Sequence, residues 1–267
     1  MIELDPRASA AGVRLISQEE LSSTNSEALS LARRGERGPL WVTAERQSAG
    51  RGRRGRTWIS QTGNLFATLL LTDPAPAEHW PELSFVAALA IHDAVAEVAP
   101  PVKAQLAIKW PNDLLLSGAK FAGVLIEGES GGETGAVAVG IGVNCMNHPA
   151  GTDFLATDLS AAGVNVTPGA LFAALSAKML GRLAQWNEGE HFSTIRADWL
   201  SRAAGVGETI RVRMADRELV GQFEGIDEAG HLVLELSDGG KQTVAAGDVV
   251  ALEPSGSPPA PLRRRKR

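Results

Sequence analysis

Apolar residues are arranged along this chain in two ways: at spacings of three and four, and gathered into short runs. Leu83, Val86, Ala87, Ala90, Ile91, Ala94, Val95 and Val98 fall on one face of a helix, with Pro81 in its first turn and Pro100-Pro101 ending it. A shorter helix opens at 24-TNSE-27, where Thr24 and Glu27 predict a capping box and Ala28, Leu29, Leu31 and Ala32 supply the apolar face. Arg33 and Arg34 suit its C-terminal dipole end and Gly35 its C′ position. Further helices are predicted over about 168–186 and about 192–203. Between them the runs 40–44, 64–72, 105–110, 120–127 and 136–144 read as strands. Their mostly apolar content predicts a sheet covered by helices on at least one face. Strands cluster in the middle of the chain, so the expectation is an α+β mixed sheet rather than strict β-α-β alternation.

After Gly205 the pattern becomes short strands at 209–214, 217–226, 231–236 and 240–245, separated by turns such as 227-DEAG-230 and 237-SDGG-240. This predicts a small β-barrel. From Glu253 the chain reads EPSGSPPAPL and then RRRKR, with no apolar periodicity, and a flexible basic tail is expected. The expected division is therefore 1–204, 205–252 and 253–267.

Composition narrows the function classes. An apolar content of 44% with 21% charged residues, over 267 residues, excludes a disordered chain. The net charge is −5, but five positive charges lie in 263–267, so residues 1–262 carry −10. Against that acidic body, residues 46–56 hold five arginines and no acid. An overall polyanion-repelling protein with one arginine loop favours a small anion over a nucleic acid as ligand. The single cysteine, Cys145, excludes an internal disulfide or a thiolate zinc cluster, and the five histidines are scattered, so no metal site is expected. The longest unbroken apolar stretch, 85–91, is far short of a membrane span, and MIELDPRAS lacks the features of a secretory signal, so a cytoplasmic location is expected.

The strongest chemical signal is 50-GRGRRGRTW-58. Its glycines allow close backbone approach, its arginines carry forks that match carboxylate and phosphate oxygens, and Trp58 can stack on a flat group. By itself this segment reads equally as a basic loop in solvent or a nucleic-acid patch. In 109-KWPND-113, Lys109 ends a strand and Asn112 and Asp113 follow a stiff turn, which is also ordinary turn composition. In 120-KFAGVLIEGE-129 a lysine begins an apolar strand and Gly123 signals close approach. The run 140-GIGVN-144 lacks the third glycine of a dinucleotide fingerprint, and 22-SSTN-25 reads first as helix capping.

Taken in order, 23-STN-25, 47-QSAGRGRRGRTW-58, 109-KWPND-113, 120-KFAGVLIE-127 and 140-GIGVN-144 resemble the biotin protein ligases, over roughly residues 13–252. The resemblance implies a catalytic core similar to class II aminoacyl-tRNA synthetases with an SH3-like C-terminal barrel. It implies a two-step reaction: biotin and ATP give biotinyl-5′-AMP, and a lysine of a biotin carboxyl carrier domain then takes the acyl group. Carried over motif by motif, Ser23, Thr24, Asn25, Gln47 and Gly123 would bind biotin. Arg51, Gly52, Arg53 and Lys120 would contact its carboxylate side or close over the adenylate. Arg51, Arg53, Arg54, Trp58, Asn112 and Lys120 would face ATP and its Mg²⁺, with Gly142 and Asn144 on the pocket wall. Arg53, Lys120, Lys109 and Asp113 would carry the catalysis. Some relatives carry an N-terminal DNA-binding domain; only 22 residues precede the STN run here, so no specific DNA binding is expected. No membrane partner is expected, and the oligomeric state, a homodimer included, stays open. The rivals left at this point are a lipoate ligase-like acyltransferase and a nucleic-acid-binding protein using the arginine loop.

Overall fold

A computed structural model describes residues 2–131 and 134–251; the expected tail, 253–267, lies outside them. The helices are α1 (Pro6–Ala10), α2 (Thr24–Arg33), α3 (Leu83–Val98), α4 (Pro168–Trp186) and α5 (Phe192–Leu200). The first seven strands are β1 (Arg14–Leu21), β2 (Leu40–Gln47), β3 (Leu65–Thr72), β4 (Leu106–Lys109), β5 (Asp113–Leu116), β6 (Ala119–Gly131) and β7 (Thr134–Val143). They form one mixed sheet in the order β1-β2-β3-β7-β6-β5-β4, in which only β1 and β2 run parallel. The remaining five, β8 (Thr209–Arg213), β9 (Glu218–Ile226), β10 (Leu232–Glu235), β11 (Lys241–Val244) and β12 (Asp248–Ala251), form a second, antiparallel sheet, β11-β10-β9-β8-β12.

The first sheet is covered on both faces. On one, α3 and α4 pack over the large core, with Trp41 edge-on to Phe172 at 5.3 Å. On the other, α2 lays Ala28, Leu29 and Leu31 on Leu40, Val42, Leu70 and Ala138. The second sheet joins the large core: Phe223, Leu232 and Leu234 belong to it, and Trp110 Nε1 donates to Gly230 O at 3.0 Å.

Several local expectations shift. Ser23, not Thr24, caps α2: its hydroxyl accepts from the Ser26 N–H, which frees the Thr24 side chain for other partners. Gly35, at φ +91°, is the C′ residue as expected. Pro81 lies in a 3₁₀ segment, Ala77–Glu82, that precedes α3, because its missing N–H is accommodated ahead of the α-helical turns. Helix α5 stops at Leu200, short of 203. Three strands, β1, β5 and β12, have no counterpart in the predicted set, and β5 turns the chain after Lys109 into a β4–β5 hairpin.

Candidate active site

The parallel β1–α2–β2 unit brings Ser23 and Gln47 together at the carboxyl ends of two neighbouring strands, with the N-terminus of α2 between them. Ligands commonly meet an open sheet at such a point. Cross-strand rows then extend the surface. Val42, Thr68, Gly140 and Leu125 are in register, as are Ala44, Phe66, Gly142 and Gly123. Three glycines at facing positions leave a trough where side chains would stand. Asn25 fills it at Gly140, where a Cβ would lie 2.2 Å from Asn25 Oδ1. Trp58 fills it at Gly142, where a Cβ would lie 2.5 Å from the indole.

The result is an open cleft bounded by the β1–α2–β2 unit, the arginine loop and β6. Its floor is neutral and polar. Thr24 N–H donates to Gln47 Oε1 at 2.8 Å, and Gln47 Nε2 donates to Ser60 Oγ at 2.9 Å. Thr68 Oγ1 lies 2.8 Å from Thr24 Oγ1 and 2.6 Å from Asn25 Oδ1. Ser23, Thr24, Asn25 and Thr68 are all buried.

The charged wall comes from the glycine–arginine loop and β6. The loop is a narrow hairpin: Arg51 bridges Thr57, Gly52 N–H donates to Arg56 O at 2.7 Å, and Arg54 turns the tip at φ +56°. Its arginines have different partners. Arg51 is held by both oxygens of Glu127 at 3.2 and 3.1 Å and by Ser26 Oγ at 2.9 Å. Arg54, at 3.3 Å, and Arg56 both pair with Asp248 of the second sheet. Arg53 forms no ion pair among the described residues; its Nη1 donates to the neutral Asn112 Oδ1 at 3.1 Å, and burial pulls its pKa down.

Lys120 reaches the cleft because β6 is bulged. The β5–β6 register shifts between Leu114 and Leu115, so Ala122 and Lys120 pair with successive residues of β5, and the extra residue, Phe121, is buried. The shift turns Lys120 onto the same face as Gly123. Its Nζ lies 2.5 Å from Asp113 Oδ1 and 5.4 Å from the ring centres of both Trp58 and Phe154. Burial also lowers the pKa of Lys109, with Asp113 opposing that shift and Lys120 adding to it.

Ser23, Thr24, Asn25, Gln47, Arg51, Gly52, Arg53, Trp58, Asn112, Asp113, Lys120, Gly123 and Gly142 therefore line one cleft. Lys109, Arg54 and Asn144 do not line it. Lys109 is paired with Asp113 at the end of the β4–β5 hairpin, Arg54 is drawn to Asp248, and Asn144 is buried with its amide on Thr157 O at 3.1 Å. The reading by motif missed Glu127, Thr68, Phe154 and Asp248. Only Glu127 has a local signal, as a charged residue on the cleft face of an apolar strand. No group of three or more His, Cys, Asp or Glu side chains suited to a metal occurs among the described residues.

Residues 18–144 match the Biotin/lipoate A/B protein ligase family, and residues 205–251 match the Biotin protein ligase C terminal domain. The biotin–[acetyl-CoA-carboxylase] ligase of Paracoccus denitrificans is 44% identical over 241 residues, covering 85% of this chain and 96% of that protein. This chain belongs to the biotin protein ligases. The corresponding ligase of Mycobacterium tuberculosis is 32% identical, covering 87% of each chain. Among solved structures, the biotin protein ligase from Aquifex aeolicus in complex with biotin and ATP superposes with a TM-score of 0.73 at 25% identity, over 89% of this chain and 97% of that one. The mixed sheet with flanking helices and the SH3-like second sheet are thus those of the biotin protein ligase family. No helix of the described residues is long and apolar enough to cross a membrane.

Proposed function

We propose that this chain activates biotin with ATP and transfers it to one lysine of a biotin carboxyl carrier domain. The observation that carries the assignment of residues is a neutral, hydrogen-bonding floor beside two cations, Arg53 and Lys120, in a single cleft. A carboxylate oxygen attacks the α-phosphorus, the bond to the bridging oxygen breaks, and pyrophosphate leaves. The two reacting groups are both anions, so the rate depends on fixed cations placed between them. Arg53 and Lys120 fill that role, and Asp113 holds the Lys120 ammonium in place. Trp58, over the glycine trough, offers a flat face to the nucleotide base. In the second step a neutral lysine ε-amine attacks the acyl carbon, AMP departs and the amine proton passes to solvent. No enzyme nucleophile is required: Cys145 is buried, and burial pushes its thiol pKa up to about 12.

The polar floor favours biotin over lipoate, because a ureido ring needs directed donors and acceptors where a dithiolane does not. Three of the four loop arginines are already neutralised by Glu127 and Asp248, which leaves little free charge for a nucleic acid backbone. The reading places the reaction in the cytoplasm, beside the biotin-dependent carboxylases, and needs no DNA. The test is incubation with ATP, a carrier domain and either biotin or lipoate, followed by intact-mass measurement. A mass gain of one biotinyl group on the carrier is expected; gain with lipoate alone would overturn the assignment.

A further inference from the structure

The tip of the arginine loop has nothing apolar to hold it. Residues 51-RGRRGRT-57 include no hydrophobic residue, Arg54, Gly55 and Arg56 are exposed, and a Cβ on Gly55 would meet open space. Where the tip lies against the cleft is therefore set by a few polar contacts. Two of them end on one atom: Arg54 Nη1, at 3.3 Å, and Arg56 Nη2 both donate to Asp248 Oδ2. Asp248 belongs to the second sheet, yet it lines the cleft. On the ligase reading given above, on which this assignment rests, we propose that Asp248 is a positioning residue for adenylation. It holds Arg54 and Arg56, and with them the turn that carries Arg53, so the second sheet takes part in a step whose reacting groups it does not touch.

By charge alone a carboxylate weakens a cleft that must hold two anions, so its presence at the wall calls for another role. Asp248 is well suited to be an anchor. It opens β12, which pairs with β8, and Gly247, where a Cβ would lie 2.6 Å from Val212 Cγ1, lets the chain enter that pairing tightly. Its cross-strand neighbour, Arg213, is taken by Glu218 at 2.8 Å, which leaves Asp248 to the loop arginines. The tie reaches Arg53 through the backbone, because Arg56 N–H donates to Arg53 O at 3.2 Å and closes the turn. It reaches Arg53 through space as well: burial lowers the Arg53 pKa most, Asp248 raises it, and Arg54 and Arg56 lower it. The Arg53 side chain itself has a neutral partner, Asn112 Oδ1 at 3.1 Å, which is aimed by Asn112 Nδ2 donating to Val124 O at 2.5 Å. One neutral hydrogen bond holds a long side chain weakly, so a fixed turn beneath it narrows where the guanidinium can go.

The experiment measures biotin-dependent ATP–pyrophosphate exchange in Asp248→Ala and in Asp248→Asn, which has the same shape, each with Arg53 intact and in an Arg53→Ala background. The two effects of losing Asp248 have opposite signs. Removing a negative charge from the cleft would by itself lower the KM for ATP and leave kcat intact or higher, whereas loss of position lowers kcat. The expected result is a fall in kcat of about tenfold in Asp248→Ala, the scale of two half-exposed ion pairs lost together, with the KM for ATP unchanged or lower. Asp248→Asn, which keeps an acceptor and loses the charge, should fall in the same direction. Asp248→Glu, which keeps the charge one methylene further out, should stay within threefold of the parent. In the Arg53→Ala background, loss of Asp248 should change the rate by less than twofold, because its effect passes through Arg53. A general loosening of the fold would slow both backgrounds alike. A kcat within twofold of the parent in both Asp248→Ala and Asp248→Asn, or the same loss with and without Arg53, would overturn the assignment of Asp248 while leaving the ligase reading intact. A parent protein with no biotin-dependent exchange would overturn both.

Discussion

Removing the four loop arginines one at a time should separate a substrate ligand from structural struts. Arg53→Ala deletes the loop cation that lacks an ion-pair partner among the described residues, whereas Arg54→Ala deletes one of two that share Asp248. Burial lowers the Arg53 pKa, yet a guanidinium stays ionised at neutral pH. A unit charge about 4 Å from a substrate anion, at an effective dielectric near 20, interacts by about 4 kcal/mol. Loss of one well-placed transition-state donor in other enzymes costs about 2.7–4 kcal/mol, which is about 10²–10³ in rate. Arg53→Ala should therefore lower kcat/KM for biotin-dependent ATP–pyrophosphate exchange by about 10²–10³. Arg54→Ala removes half-exposed ion pairing worth about 0–1 kcal/mol while Arg56 stays on Asp248, and should stay within about fivefold. Thermal unfolding provides the control, since deleting a half-buried cation that has no ion-pair partner among the described residues should leave Tm unchanged or raise it. An Arg53→Ala exchange rate within tenfold of the parent, or an Arg54→Ala loss as large as that of Arg53→Ala, would refute the division of labour within the loop.

Other consequences concern the glycine trough, Lys109 and Cys145. Gly142→Ala places a Cβ 2.5 Å from the Trp58 indole and should force that ring and its loop outward, lowering the exchange rate about tenfold or more. Gly123→Ala meets only Lys120 and Trp58 atoms at 3.4 Å and should stay within about threefold in the same assay. Burial depresses the Lys109 pKa, so the folded chain binds that proton less tightly than the unfolded one; the penalty is full below the folded pKa and is relieved as pH rises through it toward 10.5. Lys109→Met should accordingly raise Tm at pH 7, with the gap to the parent closing as pH approaches 10; a lower Tm at pH 7 would contradict this sign. The Cys145 thiol, with its pKa near 12, should resist a chromogenic disulfide reagent at pH 8 in the native protein and react fully once urea unfolds it.

Element type was legible wherever local pattern and burial agree. Helices α3 and α4 and strands β2, β3, β6 and β7 bury continuous apolar sets, and each was visible as a run or a period. The missed elements lack that agreement. Strand β1, RLISQEEL, is a sheet edge whose residues are all exposed or half-buried, so its sequence carries no core signal. Strands β5 and β12 are four residues each, and what makes them strands is their pairing with β4 and β6 and with β8. The cap of α2 moved by one residue because Ser23 and Thr24 are equivalent by propensity. The choice follows from Gln47, distant in sequence, which takes the Thr24 N–H and leaves Ser23 to cap.

The same division between local and long-range information explains the ambiguity of the arginine loop. Five arginines without an acid, read along the chain, suit a nucleic acid, a solvated turn or a small anion equally. What separates these readings is the counter-charge, and that comes from Glu127 and Asp248, 76 and about 190 residues away along the chain. Glu127 fixes the first arginine at the base of the hairpin and Asp248 fixes two at its tip. Pinned at both ends, the loop is left with Arg53 as its cation outside an ion pair among the described residues, beside Asn112 at the cleft wall. A loop that met a polyanion would need several free charges in a row; a loop that joins one carboxylate to one phosphate needs a single free cation held still, with Lys120 across from it. The acidity of the rest of the body is therefore consistent with the site: its carboxylates neutralise the surplus arginines and, through Asp113, hold Lys120 where the two substrates meet.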